Sequence, residues 1–325
     1  MKAVSLHHHS TFSFGDGFGT PAQHVARAAE LGYSAMALTE HGNVSSHFQF
    51  EKAAVKAGIK PIFGLEAYCG SVLEENDERR LVQRGGEVEL LPARSAYKNH
   101  LTLLAATAAG YRNLNKIVAQ SYRDYYYHPT VSGGNLAANA GGIVALSGCS
   151  GSLLACALLG GKGTPEHNDD PDFESARGVI ERFERLFGER YFIEIQPFYE
   201  LPRTCAMNTA YAQLSKEMGV PLAVTFDAHY PSMDDAEMQA VLHAVHRGKA
   251  SVDDAMREWN YAVPLTLPTD EHELVNRLKK TGLTGRQAWA AIMATAEIAD
   301  MCDVTLPKAE KLRYPAEPKD LEPWT

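Results

Sequence analysis

Along most of the chain, apolar and polar positions follow one repeating order: a short apolar run, a polar loop, then an amphipathic helix. Met1 to Leu6, with Val4 and Leu6 apolar, predicts a first strand. Thr20-Pro21-Ala22-Gln23 is a capping box with proline at the first helical position. Val25, Ala28, Ala29 and Leu31 then share one helical face, closed by Gly32. Six more strands are predicted over Ser34–Thr39, Pro61–Tyr68, Leu101–Leu104, Gly142–Leu146, Tyr191–Ile195 and Pro221–Phe226. Helices are predicted over Ser46–Ala57, Tyr111–Tyr126, Phe173–Phe187 and Thr204–Met218. Strands that alternate with helices in this way predict an α/β barrel.

Two stretches break the rhythm. Asn76–Arg94, mixed in charge around Gly85-Gly86, reads as a long surface insertion, and Gly160–Asp172 as a glycine- and acid-rich loop. Past Phe226 the pattern turns wholly helical, with helices predicted over Asp234–Arg247, Asp270–Lys280 and Thr284–Cys302. Pro307–Thr325 has no core pattern and reads as a linker. The chain thus divides into a barrel over residues 1–250 and a helical extension with linker over 251–325. The tyrosines Tyr122, Tyr125, Tyr126 and Tyr127 are expected to pack against the barrel wall with hydroxyls outward; the other reading stacks them on bases.

Composition narrows the class. At 325 residues and 45% hydrophobic, the chain can bury one large core or two ordinary ones. Its five cysteines follow no paired spacing, as expected of a cytoplasmic protein. No signal peptide is present, and the longest apolar stretch, Ile143–Leu159, is interrupted by serine and glycine, so no membrane partner is expected. A net charge of −9 is not that of a free-standing duplex-binding protein.

The candidate chemistry lies where the strands end. His7 and His9 share a face at the end of the first strand, while His8 points away, and Asp16 sits in the next loop. His41 follows the second strand, Glu66 lies near the end of the third, and His100 stands at the mouth of the fourth. Cys149 follows the fifth, and Asp227 and His229 follow the seventh. Each alone is ordinary: His41 or His100 as a hydrogen-bonded core histidine, Cys149 as a small buried residue, Asp16 as a turn aspartate. Together they are five histidines, two aspartates, one glutamate and one cysteine, a set that suits two or three ions with a bridging carboxylate. Glu40 is placed to orient an imidazole, and Glu194 is similarly placed without a nameable partner. His243 and His246, one helical turn apart, read as a surface pair. His24, His47, His128, His167 and His272 have no partner by spacing.

With these residues assembled, the chain resembles the PHP (polymerase and histidinol phosphatase) superfamily, and most closely the PHP domain of bacterial DNA polymerase III alpha subunits. The matching stretches are His7-His8-His9-Ser10 with Asp16-Gly17, Leu38-Thr39-Glu40-His41-Gly42-Asn43, Phe63–Tyr68, His100–Ala105, Leu146–Cys149 and Asp227-Ala228-His229-Tyr230. Glu40 departs from the family's usual aspartate.

The resemblance implies a distorted seven-stranded TIM-like (β/α) barrel and three metal ions on nine residues. These fall on His7, His9, Asp16, His41, Glu66, His100, Cys149, Asp227 and His229. It implies that Glu66 bridges two ions, that His7, His9 and Asp227 complete one, and that His100 and Cys149 complete another. The third would be held by Asp16, His41 and His229, and catalysis would turn on Glu66, His100 and Asp227. Two to three divalent ions are expected, with zinc suited to the sulfur and imidazoles and manganese or iron to the carboxylates. The implied activity is phosphoester hydrolysis, as a proofreading 3′–5′ exonuclease acting on a DNA 3′ end. Its partner would be a polymerase module in the same or a separate chain and, through it, other replisome subunits. Lys98, Arg79, Arg80, Arg84 and Arg94 are candidates to guide a phosphate backbone, or else ordinary surface charges. The alternatives are a histidinol-phosphatase-like enzyme and a silent docking domain.

Overall fold

The computed structural model describes residues 2–70, 98–160, 171–248, 251, 253 and 263–308, and the backbone alone over 79–84 and 87–92. The strands are β1 (Ala35–Leu38), β2 (Lys60–Cys69), β3 (Arg79–Arg84), β4 (Glu87–Pro92), β5 (Asn99–Ala105), β6 (Ile143–Leu146), β7 (Tyr191–Ile195) and β8 (Leu222–Val224). Six of them form one curled sheet in the order β1-β2-β5-β6-β7-β8. β3 and β4 pair as a separate antiparallel hairpin within the insertion expected over 76–94. The side chains of Arg79, Arg80, Arg84 and Arg94 lie outside the described residues, as do His167, most of the 160–172 loop and the linker from residue 309.

Ten helices surround the sheet among the described residues: α1 (Pro21–Glu30), α2 (His47–Ala57), α3 (Ala108–Arg123), α4 (Gly133–Asn139), α5 (Leu153–Leu159), α6 (Phe173–Phe187), α7 (Pro202–Met218), α8 (Ala236–His246), α9 (Glu271–Lys280) and α10 (Gly285–Met301). Local signals set their ends. The capping boxes at Thr20 and Thr284 open α1 and α10, and left-handed Gly58 and Gly219 close α2 and α7.

Two features depart from the expected barrel. The stretch expected as a first strand is not one. Ser5 bridges Met36 and His8 bridges Ala228, but a bend at His7 interrupts the run. The bend shifts the side-chain phase: Leu6 packs in the inner apolar cluster, and His7 and His9 still face the inner cavity. The segment nonetheless links the two edges of the sheet, with Ala37 N donating to Ser5 O at 2.6 Å and His9 N to Ala228 O at 2.7 Å. The second departure is β5, which runs antiparallel to both neighbours while every other pairing in the six-stranded sheet is parallel. Its first residues, not its last, therefore lie at the end of the sheet where the other strands finish.

Strand alternation sorts the core into two layers. Met36, Leu38, Phe63, Leu65, Leu101, Leu103, Ile193 and Val224 pack under the helices. Ala35, Ala37, Ile62, Leu104, Val144, Leu146, Phe192 and Ala223 fill the inside of the curl. α10 adds Ala294, Ile298 and Ala299 to that inner layer. Burying each such aliphatic or aromatic side chain contributes about 1.5–3 kcal/mol. Where the parallel strands end, polar residues converge under a small apolar cluster of Phe198, Tyr230, Val263 and Leu265.

Candidate metal centre

The polar mouth gathers all nine expected residues. His7 and His9 come from the linking segment. Asp16 comes from a tight loop in which Gly17 N donates to Ser13 O at 2.9 Å. A Cβ at Gly17 would stand 2.2 Å from Ser10 O, so only glycine lets this loop fold back beside the histidines. His41 bridges Glu66 just past β1, and Glu66 itself points inward from β2. His100 opens the reversed strand β5, and Cys149 follows Gly148 after β6. Gly148 has φ +89°, and a Cβ there would lie 2.4 Å from His100 O. Asp227 and His229 follow β8, with Asp227 held at φ 46°, a costly conformation for a non-glycine residue.

Glu66 is the hub. Its Oε1 lies 2.8 Å from His100 Nδ1 and 3.3 Å from His7 Nε2. Its Oε2 lies 2.6 Å from His41 Nδ1 and 3.4 Å from His9 Nε2. Cys149 Sγ is 3.5 Å from His100 Nδ1 and 3.8 Å from Glu66 Oε1. Asp227 Oδ1 faces His7 Nε2 at 3.4 Å, His9 Nε2 at 3.5 Å and His229 Nδ1 at 3.6 Å. Asp16 Oδ2 stands 3.0 Å from His41 Nε2 and 3.3 Å from His229 Nε2.

These atoms fit cations better than they fit one another. His7 Nε2, His9 Nε2, Asp16 Oδ1, His41 Nδ1, Glu66 Oε2 and Asp227 Oδ1 are all buried without a well-formed hydrogen bond. A buried polar atom with no partner costs about 1–3 kcal/mol, while His41 Nδ1 and Glu66 Oε2, 2.6 Å apart, offset part of theirs by their charge contact. Three trios have ligand atoms within 4.8 Å of one another: His7-His9-Glu66, Glu66-His100-Cys149 and His9-His41-His229. Nitrogen, oxygen and sulfur donors converging on shared space form a set that would hold divalent ions.

A supporting layer aims the donors. His7 Nδ1 donates to Glu194 Oε1 at 2.7 Å, which turns Nε2 toward the hub. Thr102 and Thr225 hydroxyls also donate to Glu194, at 3.0 and 2.6 Å. His9 Nδ1 donates to Ser13 Oγ at 2.8 Å, and Ser13 donates on to Glu40 Oε2 at 2.6 Å. Glu40 thus orients an imidazole through a serine. Glu194, Ser13, Thr102 and Thr225 act here without having been matched to a ligand by sequence reasoning. The available signal was a lone acid, Glu194, within the otherwise apolar strand predicted over Tyr191–Ile195.

Electrostatics follow from the crowding. Burial would raise the Glu66 carboxyl, but His100, His41 and His7 pull it well below the usual range. Asp227 is likewise pulled down against burial, chiefly by His7. Burial, then His41 and His229, lower the His9 imidazole to about 3. The carboxylates and His9 are thus in the forms that ligate metals, whereas, against burial, neighbouring acids raise His7, His41, His100 and His229, which would release protons on binding an ion.

Other residues are placed differently from expectation. His243 is buried rather than a surface residue, with Nε2 3.8 Å from Asp16 Oδ1. His8 faces away from the site, as expected, but His24 has a partner: His8 Nε2 donates to His24 Nδ1 at 2.6 Å. His47 Nε2 donates to Gly64 O at 2.9 Å. Lys98 is buried, its Nζ 5.6 Å from the Tyr126 ring centroid. The tyrosines do not pack on the barrel wall: Tyr122, Tyr125 and Tyr127 are 52%, 53% and 64% exposed.

Fold and site together define a class: an α/β protein whose curled sheet carries a preformed cluster of metal-type donors at its mouth. The PHP-domain family model matches residues 5–197, and the chain belongs to that family. Among curated relatives, it is 31% identical over 319 residues to the DNA polymerase III subunit alpha of Thermus aquaticus, covering 97% of this chain and 24% of that protein. It is 32% identical over 310 residues to the same subunit of Treponema pallidum, covering 95% of this chain and 24% of that protein. The chain therefore spans about a quarter of the length of these relatives. A loose likeness is to the solved histidinol phosphate phosphatase of Lactococcus lactis, at 15% identity and TM-score 0.35, covering 78% of this chain and 94% of that one.

Proposed function

We propose that the chain is a metal-dependent phosphoesterase, acting as a 3′–5′ exonuclease on DNA ends beside a replicative polymerase module. The observation that carries this reading is the ring of orphaned donor atoms around Glu66. Its setting in a PHP-domain chain similar to polymerase alpha subunits supports the DNA substrate, the polymerase partner in the same or a separate chain, and a cytoplasmic location. Among the described residues no helix is long and apolar enough to cross a membrane.

In this reading the nine residues hold two to three divalent ions of zinc, manganese or iron. Glu66 is shared between the His7-His9 and His100-Cys149 groups, and Asp16, His41 and His229 form the outer group. Bound ions would lower the pKa of water toward neutrality and neutralise phosphate oxygens. The chain's own part is placement. Glu194, and Glu40 through Ser13, fix which imidazole nitrogens of His7 and His9 face the centre. Gln196 Nε2 donates to Asp227 Oδ2 at 3.2 Å, leaving Oδ1 for the centre. Glu66, His100 and Asp227 stand nearest the reacting phosphate in this scheme.

A cavity of about 130 Å³ opens above the donors, walled by Phe198, Leu201, Val263 and Leu265. It is small against the roughly 300–1,000 Å³ of common small-molecule pockets. That size suits the end of a strand whose remainder lies outside. The test is hydrolysis of single-stranded DNA from its 3′ end by the full chain with zinc or manganese, beside His9→Ala. Activity lost in the variant is the expected result. Phosphomonoester turnover without action on DNA would instead indicate a small-molecule phosphatase.

A further inference from the structure

Two groups of aromatic rings lie beside the donor cluster. Tyr68, half-buried at the end of β2, stacks on His41 with ring centroids 5.6 Å apart and planes 22° apart. It meets His100 edge-on at 5.4 Å. His128 lies over it at 4.4 Å with planes 30° apart. The loop carrying His128 is pinned there by backbone bonds: Val131 N donates to Tyr68 O at 2.8 Å, and Gly70 N to Val131 O at 3.1 Å. The same loop and the end of α3 carry the exposed Tyr122, Tyr125 and Tyr127. Tyr126 and Tyr127 meet edge-to-face at 4.8 Å.

Three observations point to one occupant. The loop that carries His128 and Tyr127 is seated against Tyr68, which itself touches two candidate metal-holding residues, so a strand on these rings lies beside the centre. Tyr127 stands at φ 61°, a rare conformation for a bulky residue, with its ring exposed. The chain carries a net charge of −9, so attraction to phosphates is a weak source of affinity. Ring stacking supplies affinity without charge and without regard to base sequence.

We infer that His128 and the exposed Tyr122, Tyr125 and Tyr127, backed by the filled ring of Tyr68, form the docking surface for unstacked bases of single-stranded DNA, delivering its terminal phosphodiester to the donor cluster. The inference rests on reading that cluster as a DNA phosphoesterase. Stacking of one base on one ring is worth roughly five- to a hundred-fold in affinity.

The test is fluorescence anisotropy of the full chain in EDTA, where no hydrolysis intervenes. A labelled oligothymidylate is compared with an abasic strand carrying the same phosphates. The wild-type chain should hold the thymidylate at least about tenfold more tightly. Tyr125→Ala/Tyr127→Ala should lose that preference, and Tyr125→Phe/Tyr127→Phe should keep it. Melting temperatures check that all variants fold. Equal affinity for the two strands in wild type, or a preference that survives the alanine changes, overturns the inference and leaves the patch as a protein-contact surface. A chain that prefers bases but cleaves no DNA upholds this surface and removes the exonuclease reading. One that cleaves DNA with no base preference does the reverse.

Discussion

His7 and Glu194 are joined by a 2.7 Å hydrogen bond inside the curl, both side chains fully buried. The bond settles which imidazole nitrogen faces Glu66 and Asp227. Glu194→Gln, which keeps the shape, should weaken metal binding about 10-fold, and Glu194→Ala up to about 100-fold. Calorimetric titration of the metal-free chain with zinc or manganese reads this directly. Unchanged affinity in both variants would remove Glu194 from a positioning role.

Six buried donor atoms without well-formed hydrogen bonds make the metal-free state costly. Zinc, manganese or iron at about 100 times its dissociation constant should stabilise the fold by about 2.7 kcal/mol, and EDTA should reverse the gain. The measurement is the melting temperature with each ion and with chelator. A melting temperature indifferent to all three ions would sink the metal reading.

Gly148 sets the approach of Cys149 to His100. Gly148→Ala would place a Cβ 2.4 Å from His100 O at a left-handed φ of +89°. The loop must shift, and Cys149 Sγ with it. Cobalt loaded into the wild-type chain should show a thiolate-to-metal absorption band, which should be lost in Cys149→Ser and sharply reduced in Gly148→Ala. A full-strength band in Gly148→Ala would show that the loop accommodates the methyl group.

Burial lowers the His47 imidazole to about 4, against the opposing bonds to the Gly64 and Leu38 carbonyls. The unfolded chain, near 6.5, then binds a proton that the folded chain refuses between these values. The contribution of neutral His47 is therefore fully present above pH 6.5, falls as pH drops toward 4, and levels off below. One group over this span is worth about 3 kcal/mol. Urea unfolding from pH 8 to 4 should show a shallower acid loss for His47→Gln than for wild type. Parallel curves would refute the assignment.

Helix ends and apolar strands were legible because their causes are local. Thr20 and Gln23 cap a helix from three residues apart, and Ile143–Leu146 is apolar throughout. The nine candidate residues were legible as ligand types recurring where strands end. What escaped depends on distant partners. Glu194 meets His7 across 187 positions of sequence, and His243 reaches Asp16 from a helix that reads as surface. The bend at His7 and the reversal of β5 are likewise choices of tertiary pairing. The tyrosines misled because aromatic clustering predicts burial, and only the backbone path shows that they face water.

His9 finds its backbone partner at Ala228, so the candidate ligands His7 and His9, before β1, meet Asp227 and His229, after β8, across that bond. On the ribosome, where chains lengthen by about 5–20 residues per second, the first donors must wait tens of seconds for the last. Until then the candidate ligands His7, His9 and Glu66 stand without their enclosing wall. The centre is complete only when the chain has come full circle, so any metal held earlier would be held by an incomplete set of ligands.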